Sequence, residues 1–250
     1  MLKLNDDKTE LLIITSQEHL SKKLNLSINI GGFDIHPDYK EPPKNLGVLF
    51  DTTCGLKHHI NEQCKSLNYT LYSLGKIRQY MDKSNAETLV NAVFTSKLDY
   101  CNSLFYGVNG YLLDNLQRCQ NNAARIITRT RKKEHITPVL IDLHWLPVRH
   151  RIVYKINLLT YKSLNNLGPI YLKELLEYES TKDCNFVTRS RSDTTRLKEP
   201  RSYHPTSGDR TFRCAAPRLW NTLPRDLREE PDIDKFKSSL KTFLFHVAYG

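Results

Sequence analysis

The spacing of apolar residues changes near residue 55, and this change limits the chain's fold more than any single motif. Before that point Leu26, Ile28 and Ile30 alternate with polar residues and run into Gly31-Gly32, a hairpin signal. The apolar runs at 11–15 and at Leu46-Gly47-Val48-Leu49-Phe50 also read as strands, the second buried and ending at Asp51, with Pro42-Pro43 breaking the chain ahead of it. After that point Ile60, Cys64, Leu67, Leu71, Leu74 and Met81 recur at helical steps, as one face of a helix requires. A second helix carries Leu89, Val93, Phe94, Leu98, Cys101 and Phe105, with Ser84 as its cap and Glu87 three residues on. Gly107 to Gly110 breaks the pattern, and a third helix carries Leu112, Leu116, Cys119, Ala123 and Ile127.

Thr137-Pro138, Pro147 and Pro169 each open a further helix, since proline suits the first turn. Ile152, Ile156 and Leu159 point inward in the middle one, and the last ends near Tyr178. Residues 179–207 lose all periodicity and are rich in Ser, Thr, Arg and Asp, the composition of a mobile linker. Helical order returns around Pro217 and Trp220, and in a final helix from Asp232 with Ile233, Phe236, Leu240, Phe243 and Val247 on one face. There is no internal repeat. The pattern predicts a mainly α chain with a small N-terminal β element, in four parts: 1–52, 53–178, 179–207 and 208–250.

Charge is distributed as unevenly as hydrophobicity. The whole chain carries +10. Residues 1–60 hold 7 basic and 8 acidic side chains, and residues 61–117 hold 5 of each. Residues 118–162 hold 10 basic and 2 acidic, a surplus of +8 within one stretch. A solvated surface would spread such a surplus; concentrated, it is an electrostatic footprint for polyanions, with plain solvation or acidic protein partners as the competing explanations. Arg118, Arg125 and Arg129 fall at seven- and four-residue steps, hence on one face of the third helix, beside Gln117, Gln120 and Asn121. Arg131, Lys132 and Lys133 follow at its C-terminal end, where cations also suit the helix dipole. Arg149, Arg151 and Lys155 lie on the helix after Pro147. These nine cations are the candidate nucleic-acid-binding residues, placed to touch phosphates rather than to read bases.

Other constellations favour structural roles. Cys54, His58, His59 and Cys64 lack the spacing of a zinc site, and Cys184, His204 and Cys214 are more scattered still. Cys64, Cys101 and Cys119 sit among apolar helical positions, as small hydrophobes do. Trp145, between Leu143 and Leu146, and Trp220 read as core plugs. No Gly-x-Ser-x-Gly elbow or phosphate-cradling Gly-Lys-Ser/Thr loop is present, and no cofactor or metal is expected. The N-terminal apolar run is too short for a signal peptide and no stretch reaches membrane-spanning length, so the expectation is an intracellular chain with reduced thiols and no membrane contact.

The wording of several segments, in order, resembles LINE-type (non-LTR, jockey-like) retrotransposon reverse transcriptases. LKLNDDKTELLII resembles the segment after the family's catalytic strand. NLGVLFD is similar to the strand that supports the primer end, which assigns Leu46, Gly47 and Val48 to that strand. KLDYCNSLFYG, LHWLPVRHRI, YKSLN and GDRTFRCAAPRLWNTLP resemble the helical extension behind the palm. The resemblance implies a helical thumb-like bundle with a small N-terminal remnant of a polymerase palm. It also implies weak, non-specific contact with RNA or an RNA/DNA hybrid, and the rest of an intact reverse transcriptase as a partner. It implies no catalysis by this chain. The family's polymerase chemistry needs an aspartate in one strand and an Ala-Asp-Asp turn, whose carboxylates hold two divalent ions. The only Asp-Asp pair here, Asp6-Asp7, follows Leu4-Asn5 in the later lysine-containing segment and reads as a solvated turn. The function expected is a truncated reverse transcriptase that keeps its nucleic-acid-binding helices. The alternatives are a helical protein-interaction module or a functionless transposon remnant. In either case the apolar stripe from Ile60 to Met81, deprived of a palm, is expected to leave a sticky patch.

Overall fold

The computed structural model describes residues 9–15, 26–37, 42–179, 194–202 and 208–250. Helices dominate it, with two small antiparallel sheets near the N-terminus. β1 (Ile28–Ile30) pairs with β2 (Phe33–Ile35) across Gly31-Gly32. Both glycines have positive φ, the backbone a two-residue hairpin turn demands. β3 (Lys44–Asn45) pairs with β4 (Val48–Leu49) across Leu46-Gly47, again with both φ values positive. The single strand expected over residues 46–50 is therefore a hairpin. Leu46 is its tip, 85% exposed, Gly47 completes the turn, Val48 is buried and Phe50 packs partly buried against the core. Residues 11–15 form no strand; Leu11 makes one isolated bridge to Pro37.

Asp51 organises the switch from strand to helix. Its carboxylate accepts the Gly55 N–H at 2.6 Å and the Lys57 N–H at 3.2 Å, so it satisfies donors at the start of α1 (Lys57–Ile77). Ile60, Leu67, Leu71 and Leu74 are buried along α1, and they pack on α4 (Gly110–Thr128), whose Leu112, Leu116, Cys119, Ala123 and Ile127 face them. The expected sticky patch is not present, because α4 covers the stripe. Truncating a fully buried member such as Leu116 to alanine costs about 2–5 kcal/mol.

α2 (Lys83–Val90) is capped by Asp82, which accepts the Asn85 N–H at 2.7 Å; Ser84, the expected cap, lies inside the helix. A π-helical stretch at Asn91–Thr95 joins α2 to α3 (Ser96–Asp99), and a 3₁₀ turn at Asn102–Phe105 follows. Inserting the wider turn keeps Val90, Phe94 and Leu98 all buried. α5 (Thr137–Asp142) carries Pro138 in its first turn, and α6 (Val148–Leu164) starts directly after Pro147. α7 is shorter than expected, Ile170–Lys173 only.

A second core forms where α6 meets α8 (Phe212–Trp220), α9 (Arg225–Arg228) and α10 (Ile233–Tyr249). Tyr161 stacks on Phe236 at 4.1 Å between ring centroids, Trp220 lies against the same ring at 5.9 Å, and the Tyr161 hydroxyl donates to the Pro231 carbonyl. Trp145 and Trp220 are core residues, as their apolar neighbours predicted. Residues 194–202, from the stretch read as a linker, are pinned to this core. Leu197 is buried there, and Asn221 accepts its N–H while donating to its carbonyl. Among the described residues no helix is long and apolar enough to cross a membrane.

Candidate nucleic-acid interface

α1 and α4 come together at their C-terminal ends, and a buried arginine joins them. Arg78, 8% exposed, donates from Nε to the Ile126 carbonyl at 2.8 Å, from Nη2 to the Ile127 carbonyl at 2.7 Å and from Nη1 to the Met81 carbonyl at 2.5 Å. The Ile126 and Ile127 carbonyls are orphan acceptors of the α4 terminus, and the cation also answers the negative end of the α4 dipole.

The candidate cations divide around this joint. Arg129 leaves α4 with a left-handed backbone (φ 57°), and its guanidinium donates to the Arg78 carbonyl at 3.2 Å. Arg125 reaches over the following loop and donates to the carbonyls of Glu134 at 2.9 Å and Arg131 at 3.5 Å. Arg131, Lys132 and Lys133 ride on that loop, exposed and without a carboxylate partner among the described residues. Arg118, exposed on the same face of α4, touches only the neutral Asn115. Carbonyls and an amide orient Arg118, Arg125 and Arg129 but do not cancel their charge. A nearby carboxylate, Glu134, accepts the Arg131 backbone N–H at 3.1 Å.

The remaining three do not join this face. Arg151 is internal. Its side chain is 15% exposed, pairs with Asp99 at 2.7 Å, donates to the Leu146 carbonyl and lies over the Trp145 ring. Arg149 pairs with Asp114 at 3.1 Å. Lys155 lines a groove instead, together with Lys241 of α10. Gln117 and Gln120, expected beside the arginines, turn inward. Gln117 accepts the Val148 N–H and so caps α6, while the fully buried Gln120 donates to the Leu146 carbonyl.

The structure also adds residues that charge counting missed. Tyr69, Tyr72 and Tyr80 are 74%, 63% and 81% exposed. Tyr69 and Tyr72 lie on the face of α1 opposite Leu67, Leu71 and Leu74, with Lys76 over the Tyr72 ring at 4.3 Å, and Tyr80 follows in the 3₁₀ turn at Arg78–Tyr80. Two exposed tyrosines in register with a lysine were visible in the sequence as an aromatic stripe out of phase with the core. Exposed aromatic faces beside cations suit stacking of unpaired bases.

The hairpin that carries Leu46, Gly47 and Val48 is tied to the helices at its tip, where the Tyr100 hydroxyl donates to the Leu46 carbonyl at 2.6 Å. At its base the Leu49 N–H points at Nδ1 of His59, at 3.4 Å. Burial, helped by Lys44, holds His59 below the ordinary histidine pKa, so it stays a neutral acceptor. Among the described residues no group of three or more His, Cys, Asp or Glu side chains is arranged to hold a metal ion. Asp6-Asp7, Cys184 and His204 lie outside the described residues. No protein-family model, no curated protein and no solved structure matches the chain.

Proposed function

We propose that this chain is the nucleic-acid-gripping, non-catalytic part of a LINE-type reverse transcriptase, a thumb-like helical bundle behind a remnant of the polymerase palm. The observation that carries the reading is the cation cluster at the joined ends of α1 and α4. Five guanidinium and ammonium groups, of Arg125, Arg129, Arg131, Lys132 and Lys133, gather there, with Arg118 further back on the same face of α4 and Glu134 as a nearby carboxylate among the described residues. Phosphates meet the cations, so contact with RNA or an RNA/DNA hybrid is weak and independent of sequence. The exposed, tethered hairpin tip at Leu46-Gly47 suits a primer-supporting role. The sequence wording supplies the family, and the missing Ala-Asp-Asp motif assigns catalysis elsewhere.

Binding titrations at several salt concentrations test the reading. If the cluster neutralises roughly four phosphates, log affinity falls with log salt at a slope of about −3 to −4. Replacing Arg131, Lys132 and Lys133 with Gln flattens that slope and leaves helical content unchanged. Replacing Arg151 lowers stability and leaves the slope alone. Primer extension on an RNA template with magnesium yields no product. The rival is a helical protein-interaction module, and a slope near zero would decide for it.

A further inference from the structure

Residues 195–199 lie across the second core and are held from both sides, their backbone groups alternating as in a strand. On one side Tyr178 bridges Leu197 in the antiparallel sense. The Glu179 N–H donates to the Arg196 carbonyl at 3.0 Å, and the Lys198 N–H donates to the Glu177 carbonyl at 2.8 Å. On the other side the Asn221 side chain stands where a further strand would. It accepts the Leu197 N–H at 2.9 Å and donates to the Leu197 carbonyl at 2.8 Å, the two bonds of a hydrogen-bonded strand pair. Trp220 Nε1 donates to the Thr195 carbonyl at 3.1 Å, and Arg228 Nη1 donates to the Thr195 hydroxyl at 3.0 Å. These partners sit on firm supports. Trp220 is buried against Phe236, and the Asn221 N–H closes the end of α8 on the Pro217 carbonyl.

The side chains divide in the same way. Leu197 is the single apolar residue of the segment Thr-Arg-Leu-Lys-Glu, and it is 1% exposed in the core that holds Trp220, Leu223 and Leu227. Arg196 and Lys198 flank it and meet Glu179 at 3.6 Å and Glu177 at 3.2 Å. An acidic edge thus faces the two basic residues, in a chain whose net charge is +10. Main-chain bonds to an edge, with one buried anchor between outward residues, are the means by which proteins bind extended peptides through strand addition. The segment forms no helix, and no strand beyond the bridge to Tyr178, so the surroundings give it its place. Its grip is of an exchangeable kind. The ion pairs lie at the surface, where such pairs contribute little, and one leucine supplies the apolar burial. Covalent connection keeps the segment beside its slot at an effective concentration on the order of millimolar, so a modest intrinsic affinity is enough to keep the slot filled.

We propose that the edge at Glu177–Glu179, α8 and α9 form a recognition slot for a peptide with a leucine between two basic residues, that residues 195–199 fill it in cis, and that a partner protein carrying such a segment displaces them. The slot shares no residue with the cation cluster and attracts the opposite charge, so this activity goes beyond the grip on nucleic acid. A polyanion or an acidic peptide meets Glu177 and Glu179 and is repelled. A peptide without the leucine keeps the main-chain bonds but leaves the anchor position empty.

Fluorescence anisotropy with a labelled peptide of residues 194–202 tests this on the full chain and on two variants that loosen the cis segment. Leu197→Ala removes its anchor. Arg196→Glu with Lys198→Glu sets like charges against Glu179 and Glu177 and leaves the core intact, so the test stands even if thermal melts show Leu197→Ala to be unfolded. The peptide is expected to bind both variants at least about tenfold more tightly than the parent, whose own segment competes. Adding Asn221→Ala to either variant should weaken the peptide by about tenfold, through loss of the paired main-chain bonds. Peptides with Ala at the leucine position, or Glu at the two basic positions, should bind poorly. Replacing Arg131, Lys132 and Lys133 with Gln should leave peptide binding unchanged. Light scattering at high protein concentration identifies the partner: a dimer that the peptide dissociates means a second copy of this chain, and a chain that stays monomeric means a different protein. The proposal is overturned if the folded variants give no saturable binding, if the leucine-free peptide binds as well as the original, or if parent and variants bind the peptide equally.

Discussion

Replacing Arg78 with methionine is the most demanding test of the helix joint, because one buried side chain holds three carbonyls. Met81 lies at the end of the 3₁₀ turn, where water can substitute as the donor. The Ile126 and Ile127 carbonyls belong to the last turn of α4, and Arg78 reaches them at 2.8 and 2.7 Å from 48 and 49 residues away. A hydrogen bond to a charged partner contributes about 1.5–3 kcal/mol net, and stranding two carbonyls at once puts the loss for Arg78→Met at about 3–5 kcal/mol. Lysine keeps the charge but not the fork, so it satisfies one carbonyl well and recovers about half of that loss. Urea unfolding of the three proteins gives the ordering, with a lower midpoint and an unchanged slope. Hydrogen exchange at 127–131 should speed up in Arg78→Met more than exchange at 112–116. Because Arg129 donates to the Arg78 carbonyl, fraying of this end also loosens the cation cluster and reduces the salt slope of nucleic-acid binding. If Arg78→Met came within about 1 kcal/mol of the parent, or Arg78→Lys matched it, the joint would not be what holds the α4 terminus.

Other contacts set outcomes of their own. Gly107 has φ +69° and a Cβ there would meet Arg210 Cγ at 2.5 Å, displacing the guanidinium from the Tyr106 and Cys54 carbonyls; Gly107→Ala should therefore lower stability by about 1–3 kcal/mol in thermal melts, and less in an Arg210→Ala background. His59 and His150 are both held below the ordinary value by burial, so between their folded and unfolded pKa values the unfolded chain binds more protons; stability should be full above about pH 6.5 and fall as pH drops below it, with His59→Leu removing part of that fall in melts run from about pH 8 to about pH 5.5. The β1–β2 hairpin, with Leu26 and Ile28 about half exposed, should show weaker hydrogen-exchange protection than α4, and equal protection would mean that it is an integral part of the core.

Local signals were legible wherever one face of an element decides the outcome. The stripes on α1 and α4 predicted both helices and the residues each buries, and Gly31-Gly32 predicted its turn. The same kind of reading misplaced Leu46-Gly47. A five-residue apolar run looks like a buried strand, but glycine at the second turn position and a leucine tolerated at φ 45° make it a hairpin tip. Asp82 displaced Ser84 as the α2 cap because either residue type suits the position, and only the path of the chain selects between them. Charge was the least legible property. The partners that remove Arg151 from the candidate face, or anchor Arg125 and Arg78, are backbone carbonyls and a carboxylate up to 52 residues away, and no local pattern encodes them. Lys241 shows the converse. Its helix looks nearly neutral in sequence, with Lys237 paired to Asp234, yet Lys241 itself lines the groove beside Lys155.

Two helices that end side by side would normally present the negative poles of both dipoles to the same patch of solvent and weaken any attraction for phosphate there. Here the buried guanidinium of Arg78 answers the α4 pole from inside, through the Ile126 and Ile127 carbonyls. Arg131, Lys132 and Lys133 are thereby left free of that role. Arg125 holds the 131–134 loop by its carbonyls and Arg129 grips the Arg78 carbonyl, so the loop carrying Arg131, Lys132 and Lys133 is held in place with its charge directed outward. Burial of Arg78 and exposure of the loop are parts of one arrangement: the interior cation stabilises the α4 end, and the exterior ones remain available to a polyanion. Substitutions in the loop should therefore change binding without changing stability, whereas a substitution at Arg78 changes both.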